Sequence, residues 1–219
     1  RLTDAYFGYS PSSQWGAKVL KQSAGFTLDG ATSSKNLLTL QRNNLTNNLW
    51  FTQEYFSGVT VSGTVDGSWY YKVGVFSSDP STEVSFSEGA WFGLFSAGYN
   101  FAKKLRLDNA LVRIDYVPNQ EDPESGTRDF SNVLSLVTKW EKRDWGVWSD
   151  LSGGTGYLEQ SNVWGLSVMP FYDVMPHHQI LLRYTFLSSA ADNGLRLGSY
   201  EREIVSGRGN RYNELYAGY

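Results

Sequence analysis

The chain of 219 residues contains no cysteine, which excludes disulfide bonds, zinc–thiolate sites and thiol catalysis. No apolar run approaches the ~20 residues that a membrane-spanning helix needs. There are two histidines, His177 and His178, and neighbours in an extended chain point opposite ways, which suits neither a metal pair nor a catalytic triad. The net charge of −3 gives no reason to expect a nucleic-acid partner. We therefore expect no enzyme activity and no cofactor.

Aromatic residues are abundant, at 16% of the chain, and apolar and polar residues alternate through most of the sequence, as in half-buried strands. The clearest example is GVTVSGTVDGSWYYKVGVF, residues 58–76, in which two alternating runs flank Asp66-Gly67. Such a pattern is the strongest short-range signal of a β-hairpin. The alternation predicts an all-β protein with eleven strands, at 2–10, 15–22, 58–65, 68–76, 89–102, 109–117, 130–141, 144–152, 162–173, 179–188 and 212–219.

The connections between these strands alternate strictly between short and long. Residues 11–14 and 66–67 are short connections, whereas 23–57 and 118–129 are long ones. Up-and-down transmembrane β-barrels have tight turns at the periplasmic end and long loops outside, whereas a sandwich has no reason to sort its loops by end. The sequence therefore predicts an antiparallel, up-and-down transmembrane β-barrel. A soluble β-sandwich that binds a ligand through an aromatic patch is the alternative.

In a barrel, the aliphatic and aromatic face of each strand meets lipid, and the other face meets water. Val59, Val61, Val73 and Val75 would then point to lipid and Lys72 into the pore. Aromatic residues near the strand ends would form the two interfacial girdles: Trp15, Trp69, Trp91, Phe101, Tyr116, Trp140, Trp145, Trp164 and Tyr172.

The direction of the first strand predicts that more of the barrel exists. It leads into a short, periplasmic turn, so at least one ascending strand should precede Arg1. The odd strand count agrees, because bacterial single-chain barrels have even numbers of strands. We therefore expect residues 1–219 to be one barrel domain that forms part of a larger barrel.

The long connection at 23–57 has its own hydrophobic content, including Leu37, Leu45 and Trp50. A structureless loop of this length in a compact domain is normally functional or disordered, and this composition is not that of a disordered segment. If both ends of this segment lie at the outer end of a barrel, the segment could fold into the lumen and narrow it.

The stretch KQSAGFTLDGATSSKNLLTLQRNN, followed by GVTVSG and the closing GRGNRYNELYAG, resembles the phosphate-selective porins O and P of Gram-negative outer membranes. The resemblance covers nearly the whole chain, as the later two-thirds of a longer protein. It implies a sixteen-stranded barrel, a homotrimer in the outer membrane in contact with its lipid, and a third loop folded inward. It also implies an anion path lined by lysines, arginines and loop hydroxyls, for phosphate or polyphosphate.

Carried over by position, the resemblance puts Ser33, Ser34 and Lys35 at the constriction, with Arg42 nearby. Lys18 or Lys21, on the strand that enters the loop, could join them. Hydroxyl and guanidinium groups suit phosphate oxygens because they donate hydrogen bonds. The alternative for Ser33 and Ser34 is turn formation, or capping of a short helix in the loop.

Three more cations are predicted on the pore wall from the alternation of the strands: Lys72, Arg113 and Arg183. Rings of Lys and Arg make pores selective for anions. Asp115 and Glu214 would share the same lumen, however, and the chain is acidic overall. A solvated pore wall without selectivity, and hence a general porin, therefore stays open as an alternative.

Overall fold

The computed structural model describes residues 4–50, 55–81, 83–86, 89–192, 194–197 and 209–219. Within them the chain forms one antiparallel sheet of eleven strands, in which every strand pairs with its neighbours in sequence. The strands are β1 Ala5–Tyr9, β2 Gly16–Ser23, β3 Tyr55–Val65, β4 Trp69–Ser77, β5 Trp91–Asn100, β6 Asn109–Pro118, β7 Phe130–Lys142, β8 Trp145–Gly156, β9 Val163–Met175, β10 His178–Ser189 and β11 Arg211–Gly218. The helices are a 3₁₀ turn Ser34–Asn36, α1 Asn44–Leu49 and α2 Ala102–Leu105.

The predicted all-β, up-and-down architecture is confirmed, and the single sheet is not the two-sheet sandwich of the alternative. Because successive strands are antiparallel neighbours, alternate connections lie at the same end of the sheet. All short turns therefore share one end, and all long connections share the other. The sheet is open, since no pairing joins β1 to β11 in the part of the chain that the structure describes. Among those residues, no helix has both the length and the apolar character needed to cross a membrane.

The hairpin at 58–76 forms as predicted. Asp66 and Gly67 have φ values of 51° and 64°, and two consecutive positive φ angles are typical of the tight turn whose twist matches that of antiparallel strands. The register pairs Val65 with Trp69 and Val59 with Val75. This turn therefore fixes which side chains share a face on both strands.

The two faces of the sheet differ in the way the alternation predicts. On the outward face, Val59 and Val75 are 48% and 50% exposed, whereas Thr60, between two outward valines, is 3% exposed. Exposed apolar residues continue around the outward face on later strands: Phe95, Ile114, Leu134, Leu151, Ile180, Leu182 and Leu215. The inward face is covered by the chain's own segment 24–50, which is described below.

Strand boundaries depart from the prediction where tertiary contacts decide them. β3 starts at Tyr55 rather than residue 58, because Tyr55 still pairs with Ser23 of β2. The long connection therefore spans 24–54, of which 51–54 lie outside the described residues, as do residues 2–3 of the first predicted strand. The predicted strand 89–102 gives way after Asn100 to the short helix α2. That residues 1–219 form one domain stays a prediction.

Candidate functional site

Segment 24–50 lies across the inward face of the sheet and contacts strands from β3 to β11. Its apolar side chains join two buried clusters. In the first, Ala24, Phe26, Leu45, Leu49 and Trp50 pack with residues of β3 to β7, β9 and β10. In the second, Leu28 packs with side chains of β7 to β10: Val137, Trp148, Met169 and Leu181. The segment therefore shares buried clusters with most strands of the sheet.

Two buried carboxylates on the strands accept hydrogen bonds from the segment's backbone. Asp115 of β6 accepts from the N–H of Thr27 at 3.0 Å, and Asp150 of β8 accepts from the N–H of Leu28 at 2.7 Å. Their side chains are 1% and 0% exposed. A buried carboxylate is costly unless its oxygens accept hydrogen bonds, and the segment supplies one backbone donor to each of these groups beside their partners on the sheet.

Two arginines predicted on the pore wall also hold the segment. Arg113 pairs with Asp115 through two hydrogen bonds of 2.9 Å and donates to the carbonyl oxygen of Thr27 at 2.8 Å. Arg183, which is 1% exposed, pairs with Glu214 at 2.7 Å. Its other terminal nitrogen donates to the Thr39 hydroxyl and to the carbonyl oxygen of Gln41. Both positive charges are therefore balanced by carboxylates on the same wall.

Short-range hydrogen bonds shape the second half of the segment. Asn43 caps α1, because its side-chain oxygen accepts from the N–H of Thr46 at 2.7 Å. The Asp29 carboxylate accepts from the N–H of Asn43 at 2.8 Å, and Arg42 donates to the carbonyl oxygen of Asp29. Burial raises the pKa of the Asp29 carboxyl above its ordinary value of 3.8, although the Asn43 hydrogen bond and nearby arginines oppose the shift.

Beside the segment, towards β1 to β4, the inward face leaves a cavity of about 440 Å³. Hydroxyl and phenol groups are frequent in its lining, including Ser33, Ser34, Thr60, Tyr55 and Tyr70. The ionisable groups of its described lining, apart from phenols, are four cations and one carboxylate: Lys18, Arg42, Lys72, Arg113 and Asp4. The cavity thus combines positive charge with hydrogen-bond donors, which is the chemistry of an anion site.

Among the described residues, the two lysines of the cavity have no carboxylate partner, unlike Arg113 and Arg183. Lys72 donates to the carbonyl oxygen of Ser23 at 3.4 Å, and the Lys18 ammonium lies 4.1 Å from the centre of the Tyr6 ring. Neither lysine forms an ion pair with any described residue. Their positive charges therefore reach the cavity without a direct ion pair to a described carboxylate.

Of the residues predicted at the constriction, Ser33, Ser34, Arg42 and Lys18 come together in this cavity, but Lys35 and Lys21 do not line it. Lys35 is exposed in the 3₁₀ turn. Anion-binding roles for all six stay predictions. Ser33 also caps that turn, because its hydroxyl accepts from the N–H of Lys35 at 3.4 Å, as the capping alternative has it.

Lys21 faces away from the cavity. Its register partner is Ser57, and both residues alternate with inward-facing neighbours. The buried Lys21 ammonium donates to the carbonyl oxygens of Ser81 and Glu83, at 2.8 and 2.6 Å. It thus holds the connection between β4 and β5 against β2. Of the three predicted pore-wall cations, Lys72 and Arg113 line the cavity, and Arg183 does not.

Sequence reasoning missed Asp150 entirely and missed the anchoring role of Asp115. Both occupy inward positions in the alternation, between outward Ser149 and Leu151 or Ile114 and Tyr116. An inward carboxylate, next to the inward Arg113 on β6 and among apolar and hydroxyl residues on β8, was therefore a usable signal. The donors that satisfy it lie far away in sequence, however, and only the fold brings them together.

The comparisons with known proteins agree with this geometry. A family model described as phosphate-selective porin O and P matches residues 1–129, which include β1 to β6, segment 24–50 and every described lining residue of the cavity. This chain belongs to that porin family. Neither the curated proteins nor the solved structures gave a significant match. As a porin, the protein is a channel by family, and its inward face is the face on which a solute path is to be sought.

Proposed function

We propose that this porin passes small anions, phosphate or polyphosphate, by diffusion across the bacterial outer membrane. The anion path runs through the cavity beside segment 24–50. The observation that carries the proposal is the described lining of that cavity, which sets Lys18, Lys72, Arg42 and several hydroxyl groups, beside the carboxylate-paired Arg113, against the one carboxylate of Asp4. In a narrow water-filled passage, such a lining concentrates anions and repels cations.

The residues divide the work by their chemistry. Lys18 and Lys72 attract the anion as point charges, Arg42 adds positive charge beside its hydrogen bond to the Asp29 carbonyl oxygen, and Ser33 and Ser34 donate hydrogen bonds to the anion's oxygens. Lys35 is exposed on the same loop, and Lys21 binds the connection between β4 and β5. Both lysines attract the anion only at longer range. Binding stays weak enough for release because hydroxyls and hydrated lysines compete with water for the anion.

The outward face supports a place in the outer membrane. It is apolar along the middle of the strands, and exposed tryptophans stand near both ends. Trp69 and Trp145 start strands at the short-turn end, and Trp91 and Trp164 lie at the long-loop end. Aromatic girdles at both interfaces are typical of outer-membrane barrels. By family resemblance, the protein assembles as a homotrimer whose outer wall contacts lipid.

A general porin with little selectivity is the second candidate. The neutralised arginines favour it, because Arg113 and Arg183 carry no uncompensated charge. In either case transport needs no chemical step, and the channel role of the family leaves no task for a catalytic group. The adjacent histidines lie at the turn between β9 and β10, where His178 Nδ1 is 2.6 Å from the Tyr219 hydroxyl.

Reversal potentials in a salt gradient across a planar bilayer distinguish the two candidates. We expect the wild-type channel to prefer chloride over potassium and phosphate to reduce the chloride current. Replacing both Lys18 and Lys72 with Gln should lower the anion preference. The matched control is K103Q, which removes a charge from the exposed short turn at α2. A wild-type channel that is cation-selective or unselective would contradict the proposal.

A further inference from the structure

We infer that Asp150 and Asp115, together with Arg113, position segment 24–50 and thereby set the bore of the anion path. We call the two carboxylates, together with the Arg113 that pairs with Asp115, the carboxylate latch. The inference rests on the proposed function for the meaning of the bore, but the anchoring itself can be tested without it.

The latch acts at two consecutive residues from two different strands. Thr27 donates its N–H to Asp115 of β6, and Leu28 donates its N–H to Asp150 of β8. Gly25 on one side and residues 30–34 on the other line the cavity. The fixed point therefore lies inside the stretch that borders the path, so a shift at Thr27 and Leu28 moves the cavity wall.

The backbone at Thr27 shows that the position is imposed by its surroundings. Thr27 has a φ of 64°, a left-handed conformation that β-branched residues rarely adopt. Every polar group of Thr27 has a partner: Asp115 holds the N–H, Arg113 holds the carbonyl oxygen, and the hydroxyl contacts Thr46 and the N–H of Gly30. Such strained residues persist where several contacts determine them at once, and they cluster at functional sites.

Hydrogen bonds within the sheet hold the Asp150 carboxylate in place, in addition to its bond with the segment. Its Oδ1 accepts from the Ser135 hydroxyl of β7 at 3.0 Å and from the Ser152 hydroxyl of β8. This leaves Oδ2 directed at the N–H of Leu28. A carboxylate fixed by its own sheet makes a rigid anchor. Asp150 is thus a positioning residue, which acts on the path through the backbone of Leu28 and does not line the cavity.

The test combines a mobility measurement with single-channel recording on the full-length porin. Since the chain has no cysteine, Ala31→Cys allows one spin label on an exposed residue next to the latch. We expect D150A to raise the mobility of this label. In unlabelled channels, D150A should cause the loss of the single steady conductance level. D150N keeps an acceptor oxygen for Leu28 and should stay close to wild type in both measurements.

Two further variants keep the test decisive. S135A/S152A retains the carboxylate but frees it, and it should raise label mobility even if D150A fails to fold. The matched control is S167A. Ser167 is the register partner of Asp150 on β9, and its buried hydroxyl contacts the hydroxyl of Thr185. Label mobility in S167A should equal that of the wild type.

Label mobility at the wild-type level in folded D150A, or in folded S135A/S152A where D150A does not fold, would overturn the latch. Raised mobility in a channel without anion preference would support the latch while contradicting the proposed function. The two claims can therefore fail separately.

Discussion

Segment 24–50 has two sides, and inward-facing cations behave differently on each. On the cavity side, Lys18 and Lys72 face open space without an ion-pair partner among the described residues. On the packed side, Arg183 is buried, paired with Glu214 and bonded to the segment. Arg113 stands at the border, because it lines the cavity and also pairs with Asp115.

The difference shows that an inward position on a strand does not by itself assign a cation to the solute path. A carboxylate on a neighbouring strand converts the charge into an anchor, since a buried pair has little field left for a passing ion. A cation without such a partner still attracts a passing anion with its full positive charge. The predictions below separate the two roles, beginning with the largest effect.

Arg183→Ala should destabilise the protein by about 3–5 kcal/mol, because it leaves Glu214 uncompensated and removes two hydrogen bonds to the segment. The free energy of unfolding in urea, measured in lipid vesicles, checks this loss. The control is R183M/E214Q, which removes both charges and should lose much less stability. A single variant as stable as the wild type would show that the pair does not anchor the segment.

Lys72→Glu should change the selectivity of the channel. Replacing a positive by a negative charge alters the energy of an anion passing at about 4 Å by roughly 2 kcal/mol in a watery pore. The ratio of anion to cation permeability, from reversal potentials, should fall accordingly. K103E provides the same change of charge in the exposed short turn. An equal fall in both variants would attribute the effect to overall charge and not to the cavity.

Asn43→Ala should cost about 1 kcal/mol, because it removes the cap of α1 within the segment. Urea unfolding again measures the loss. Asn47→Ala is the control, since Asn47 is exposed on the same helix. Equal losses in the two variants would show that the cap has no special weight.

The smallest effect concerns pH. The pKa of Asp29 is raised in the folded protein by burial, so its contribution to stability is complete below about pH 4. That contribution declines as the pH rises through the folded value. D29N cannot titrate at this position. The stability of the wild type relative to D29N should therefore fall as the pH rises above about 4. A constant difference would mean that Asp29 titrates normally.

The sequence predicted the strands well because alternation is a local signal. All eleven predicted strands exist, and the facing of Val59, Thr60 and Lys72 follows from the parity of each strand. Boundaries set by distant contacts were harder. The start of β3, for instance, depends on Ser23 pairing with Tyr55 across a long connection.

The site was predictable only in part, for the same physical reason. Residues close together in the loop, Ser33, Ser34 and Arg42, do border one cavity. The pairing of Arg183 with Glu214 depends on the register between β10 and β11, which no local pattern reveals. Lys21 was grouped with Lys18, although residues three apart on a strand lie on opposite faces.

The central claim is that the cavity lysines Lys18 and Lys72, which have no ion-pair partner among the described residues, select the anion, whereas the arginines paired with carboxylates hold the segment. Reversal potentials of K72Q and of R183M/E214Q, recorded in the same salt gradient, test it most directly. We expect K72Q to reduce the anion-to-cation permeability ratio by at least about fivefold, since the loss of one charge at about 4 Å costs the anion about 1 kcal/mol, and we expect the double variant to keep the wild-type ratio. A wild-type ratio in K72Q with a reduced ratio in R183M/E214Q would contradict the account.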